Sequence, residues 1–113
     1  LLDPGLDIAK TPAESVELLR RLPELAQLGR PLLLAISRKD FVGALTGRQP
    51  RDRDPGTLAA VEPALDSVAG SLLRVHDVAG VADFVAVRAA LRGTAAAPTT
   101  PLDDALRRES APA

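Results

Sequence analysis

The 113 residues contain no cysteine, methionine, tryptophan or tyrosine, two phenylalanines and one histidine. Each absence removes a class of chemistry. Without cysteine there is neither a disulfide scaffold nor a thiolate zinc site, and one histidine cannot supply a histidine-rich metal cage. The missing thiols also lean towards a cytoplasmic setting. No apolar run approaches the roughly 20 residues of a membrane span, and no basic-then-apolar leader reads as a secretion signal. No excess charge marks a partner. Fourteen cations against fifteen anions leave a net charge of −1 and a pI near 5.8, so neither nucleic acid nor an anionic membrane is expected. Glycine-rich phosphate loops ending in GK[ST] or written G-x-G-x-x-G are lacking too. Ser37 has no flanking glycines, so no nucleophile elbow is present. The chain opens on "LLDPG" with no methionine, and residue 1 is expected to lie inside a strand of a longer protein.

At 46% hydrophobic and 26% charged, the composition is that of an ordinary globular chain, long enough for one modest domain. "LLDPG" reads as a strand end breaking at Pro4-Gly5. Thr11-Pro12-Ala13-Glu14 carries a helix start, with Thr11 as cap, Pro12 in the first turn and Glu14 closing a capping box. Val16, Leu18, Leu19, Leu22, Leu25 and Leu28 then share one broad helical face, which Pro23 should kink or divide and Gly29 should end. Leu32–Ile36 is apolar without alternation, as in a strand buried on both faces. A short helical turn is expected at "FVGALTG" and a polar loop over 47–56. A helix-like stretch, "TLAAVEPALDSVAG", follows with Pro63 in its middle. "SLLRV" is the third strand, and "VAGVADFVAVRAALRG" is an amphipathic helix stopped by Gly93. Residues 94–113, rich in alanine, proline and threonine, are expected to form a mobile tail with a transient turn in "TPLDDALRRES".

Strand and helix thus alternate three times, which suits parallel βα units. Only a doubly wound sheet or part of a β/α barrel fits well. Ligands of both architectures sit beyond the carboxyl ends of the strands. Those ends carry Asp3, then Ser37-Arg38-Lys39, then Arg74 and His76. Asp3 either starts a turn or accepts two N–H groups from a guanidine-like edge. Arg38 and Lys39 either mark a strand's exit into water or hold an anion. Arg74 and His76, two residues apart, point to the same side, and an arginine buried on a barrel rim demands an anionic partner.

"LDPGLDIAKTP", "AISRKDFVGALTGR" and "LLRVHDV", in this order, resemble the last three strand motifs of the dihydropteroate synthase family. "GTLAAVE" resembles the helix that follows the family's SRK loop. The resemblance covers residues 1–92. It implies a TIM barrel, (β/α)8, of which residues 1–93 would be the last three βα units, followed by the tail, 94–113. It implies folate-pathway transferase chemistry: p-aminobenzoate condenses with hydroxymethyl-dihydropterin diphosphate, and pyrophosphate leaves with Mg²⁺ bound. Asp3, Lys39 and Arg74 would then be catalytic. Asp3 would hold the pterin ring and Lys39 its polar edge. Arg74 and His76 would hold the diphosphate, while Ser37 and Arg38 would lie near the p-aminobenzoate pocket. The protein ligand of Mg²⁺ would lie outside this chain, and a homodimer would form through the C-terminal helices. Two departures stand out. Asp7-Ile8 replaces the family's usual glycine-phenylalanine, as in actinobacterial-type paralogues, for which pterin-diphosphate binding without synthase chemistry is the competing expectation. Pro63 is the other, costing about 3 kcal/mol if it lies within a helix.

Overall fold

The computed structural model describes residues 1–108 and is an α/β arrangement with parallel strands. Strand β1 (Leu33–Ala35) pairs in parallel with β2 (Leu72–Arg74), in the register Leu33↔Leu72, Leu34↔Leu73 and Ala35↔Arg74. On the other side of β1, Leu2 forms a parallel bridge with Leu32. The strands are shorter than their apolar runs because each chain turns away at the polar residues that follow.

β1 is central, and its helix-facing side chains explain the absence of alternation. Leu32, Leu34 and Ile36 are fully buried against Leu6, Leu19, Leu22, Phe41, Val42, Val61, Ala64 and Val81. Ala35, on the opposite face, is buried as well. β2 is an edge strand. Exposure alternates along it, with Leu72, Arg74 and His76 out and Leu73 and Val75 against the core. Arg74 and His76 therefore share a face, as their spacing requires.

The helices follow their caps. α1 (Pro12–Arg20) begins with the full capping box, Thr11 Oγ1 accepting from Glu14 N while Glu14 reaches back to Thr11. Pro23 divides the long apolar face, and α2 (Leu22–Ala26) starts after a break at Arg21. α3 (Asp40–Thr46) ends at Gly47, whose left-handed φ of 71° closes the C-terminus. α4 (Asp54–Val61) begins inside the stretch read as polar loop, and a 3₁₀ turn at Pro50–Asp52 precedes it. The mid-helix position of Pro63 is corrected. α4 stops at Val61, and Pro63 lies in the first turn of a 3₁₀ segment, Glu62–Asp66, where its missing N–H has less to break. α5 (Val78–Leu91) is capped by Asp77, whose carboxylate accepts from Gly80 N at 2.9 Å, and Gly93 follows it at φ 74°. Beyond it, one 3₁₀ turn spans Asp104–Leu106. Residues 109–113 of the expected tail lie outside the described residues.

Candidate functional site

The polar residues after the Leu2 bridge, β1 and β2 emerge at one edge of the sheet, because the bridge and both strands are parallel. After Leu2, the Asp3 Oδ1 atom accepts from Gly5 N at 2.8 Å, the turn-starting role of the DPG sequence. Asp3 is exposed.

After β1, the chain turns sharply at Arg38, a non-glycine residue at φ 59°. Three contacts impose that conformation. Its N–H donates to Thr57 Oγ1 (3.0 Å), its carbonyl accepts from Arg53 Nη1 (2.9 Å), and its guanidinium forks onto both oxygens of Asp54 (2.9 and 3.0 Å). The hydrogen bond from Arg38, opposed by desolvation, holds the Asp54 carboxyl below its ordinary range; the same bond raises Arg38. Ser37 is buried, with its hydroxyl on the His76 ring (Oγ···Nδ1 2.8 Å) and accepting the His76 N–H (3.2 Å). The gap among Ser37, Asp54, Thr57 and Asp77 is only about 10 Å³.

Lys39 reaches back across the sheet edge, Nζ donating to the Leu6 carbonyl at 2.8 Å. Lys10 Nζ donates to the carbonyls of Gly5 and Ile8. Asp7 completes this binding of the first loop. Its backbone sits at φ 66°, and its carboxylate accepts from Asp40 N (2.6 Å) and Ser15 Oγ (3.4 Å) while its own N–H donates to Ser15. A left-handed φ is where glycine fits most easily and where aspartate is among the better-tolerated replacements. The side chain at this departure is thus a clasp between the first loop and the start of α3. Ile8 is 65% exposed.

Arg74 corrects an expectation. It is exposed on the edge strand, so within this chain burial does not force an anionic partner on it, and it makes no side-chain hydrogen bond or ion pair among the described residues. His76 is likewise exposed but anchored by Ser37. No hydrogen bond or ion pair links Asp3, Lys39 and Arg74 to one another among the described residues. Asp7, Arg53, Asp54 and Thr57 were missed as site-building residues. Only the unusual Asp7 carried a signal in the sequence.

The carboxylates near this edge are all engaged: Asp3 in its turn, Asp7 in its clasp, Asp54 with Arg38, Asp77 as a cap. No cluster of three or more metal-ligating side chains occurs among the described residues. This donor set does not fit a magnesium site. Among the described residues no helix is long and apolar enough to cross a membrane.

Asp3 after the Leu2 bridge, the SRK turn after β1 and the Arg74-x-His76 pair at the end of β2 thus lie along one edge of a parallel arrangement. Residues 1–76 match the family model of the pterin-binding enzymes, and the chain belongs to that family. A dihydropteroate synthase of Synechocystis sp. is 44% identical over 92 residues, covering 80% of this chain and 32% of the relative. One from Streptococcus pyogenes is 43% identical over 88 residues, covering 76% and 33%. The chain therefore spans about a third of the length of these relatives. The Xanthomonas albilineans dihydropteroate synthase in complex with 7,8-dihydropteroate superposes with a TM-score of 0.74 at 43% identity, over 85% of this chain and 36% of that one.

Proposed function

We propose that this chain is the C-terminal part of a dihydropteroate synthase, forming the last three βα units of a (β/α)8 barrel. The observation that carries the reading is the identity above 40% to named synthases, and the placement of Asp3, the SRK turn and the Arg74-x-His76 pair along one sheet edge supports it. The p-aminobenzoate amine attacks the methylene carbon of hydroxymethyl-dihydropterin diphosphate. The carbon–oxygen bond breaks, the amine loses a proton, and pyrophosphate leaves. Arg74, without a side-chain partner among the described residues, and His76 hold the departing diphosphate, since cations fixed against developing negative charge lower the barrier. Asp3 takes the pterin N–H groups and offsets positive charge developing on the ring. Lys39, tethered to Leu6, orients the ring's polar edge. Ser37 and Arg38 shape this end of the p-aminobenzoate pocket, Arg38 with its charge already matched by Asp54. Magnesium would be held through the diphosphate and a protein ligand outside this chain, where it would offset charge on the leaving group. We place the reaction in the cytoplasm, in a homodimer whose contact uses the exposed Val78, Val87 and Leu91 of α5.

Asp7 and Ile8 favour a second reading, a paralogue that binds pterin diphosphate without synthase chemistry. The first-loop position at which the family carries an aromatic holds an exposed isoleucine, and the loop is clasped by Asp7. Calorimetry separates the two. Pterin diphosphate titrated into the full-length protein should bind, and p-aminobenzoate should then bind to that complex if the first reading holds. Binding of the first ligand without the second, with turnover appearing in an Asp7→Gly/Ile8→Phe double variant, establishes the paralogue. Failure to bind either ligand removes both.

A further inference from the structure

We infer that Ser37 fixes the ring tautomer of His76, so that the imidazole carries its proton on Nε2 and presents it outward as a hydrogen-bond donor. The ladder between β1 and β2 ends at Ala35↔Arg74, where the turn at Arg38 takes the first chain away. Two residues on, the Ser37 hydroxyl replaces the lost ladder partner and accepts the His76 N–H at 3.2 Å. The same oxygen lies 2.8 Å from His76 Nδ1, and Ser37 is 93% buried by its 7% exposure. A hydroxyl has one proton to donate. Among the described residues Ser37 makes no other side-chain hydrogen bond, so that proton is satisfied by donating to an unprotonated Nδ1. Were Nδ1 the protonated nitrogen, the oxygen would accept two N–H groups and leave its own proton buried without an acceptor, which is costly. The neutral ring is therefore left with Nε2–H, on the side turned away from Ser37, in a residue exposed beside Arg74 at the sheet edge. The nearby carboxylates do not compete, since Asp54 is forked by Arg38 and Asp77 caps α5.

Ser37 is thus a positioning residue acting through His76. That Nε2–H serves a phosphate oxygen rests on the proposed function; the tautomer itself does not. The full-length protein, labelled with ¹⁵N-histidine and assigned with a His76→Gln variant, should show protonated Nε2 and acceptor-type Nδ1 at a pH where the ring is neutral. Ser37→Ala should move both resonances to values averaged between tautomers, and Ser37→Thr should restore them. A protonated Nδ1 in the unmodified protein overturns the inference even if Ser37→Ala fails to fold, as does an unchanged spectrum in Ser37→Ala. Inorganic pyrophosphate then tests the use of that donor. Ser37→Ala should weaken its binding by about twofold, the factor lost when only about half of the neutral rings carry the proton on Nε2, with recovery in Ser37→Thr. Pyrophosphate that does not bind the unmodified protein, with the spectra as expected, counts against the proposed function and leaves the tautomer standing.

Discussion

Arg38 is held in a left-handed conformation by contacts from three separate positions, and the loss of one of them should be measurable. Thr57 is buried, and its hydroxyl is the acceptor for the Arg38 N–H. Thr57→Val keeps the volume and orphans that donor, so it should lower unfolding stability by about 1–3 kcal/mol, with Thr57→Ser nearer the parent. Urea unfolding decides this, and a valine variant as stable as the parent would show that another group holds the turn. Asp54 adds a pH signature. Its hydrogen bond from Arg38 depresses its carboxyl, so the stabilisation is complete above its ordinary value near pH 4 and disappears as pH falls through the lowered one. The urea midpoint of Asp54→Asn should lie below the parent's at neutral pH, and the difference should shrink in acid below about pH 4. The residues at the strand ends were readable in the sequence because the α/β rule says where ligands sit. Their supports were not. The Asp7–Asp40 contact joins positions 33 apart, and Arg38–Asp54 joins positions 16 apart, distances over which no local pattern carries information.

Helix boundaries were legible wherever chemistry is local. The capping box at Thr11, the break at Pro23 and the stop at Gly93 each follow from one or two neighbouring side chains. Thr11→Ala should cost about 1 kcal/mol, read as a lower urea midpoint; an unchanged midpoint would show that α1 is held by packing alone. The start of α4 was misplaced because Asp54-Pro55-Gly56 resembles a turn, yet Asp54 and Pro55 also suit a first helical turn, and packing chose the helix. Gly56 lets that helix approach closely. A Cβ there would lie 2.6 Å from Val42 Cγ1, so Gly56→Ala should separate α3 from α4 and cost about 1–3 kcal/mol by overpacking. Pro63 gives the opposite expectation to a mid-helix proline. Replacing it with alanine should change stability by less than about 1 kcal/mol, since the helix already ends before it. A gain near 3 kcal/mol would restore the mid-helix reading.

The molecule as a whole is thin, with principal extents of 60 × 34 × 18 Å. Its radius of gyration is 17.0 Å, where a compact chain of this length would have about 13 Å. A layer of helices covers one face of the sheet, and the other face ends in open strands. Leu1 and Leu72, beside the two open edges, are 67% and 52% exposed. Unpaired strands of this kind template further strand pairing. The isolated 113-residue chain should therefore self-associate with rising concentration in sedimentation velocity. Leu72→Lys should suppress that association by placing a charge on the β2 edge. The isolated chain should also lack synthase turnover, because the edge proposed to bind the pterin has no opposing wall among the described residues and Arg74 is exposed. Both expectations have one physical source: among the described residues nothing closes the sheet. A monomer that turns over substrates unaided would mean that this half-open edge already makes a complete site.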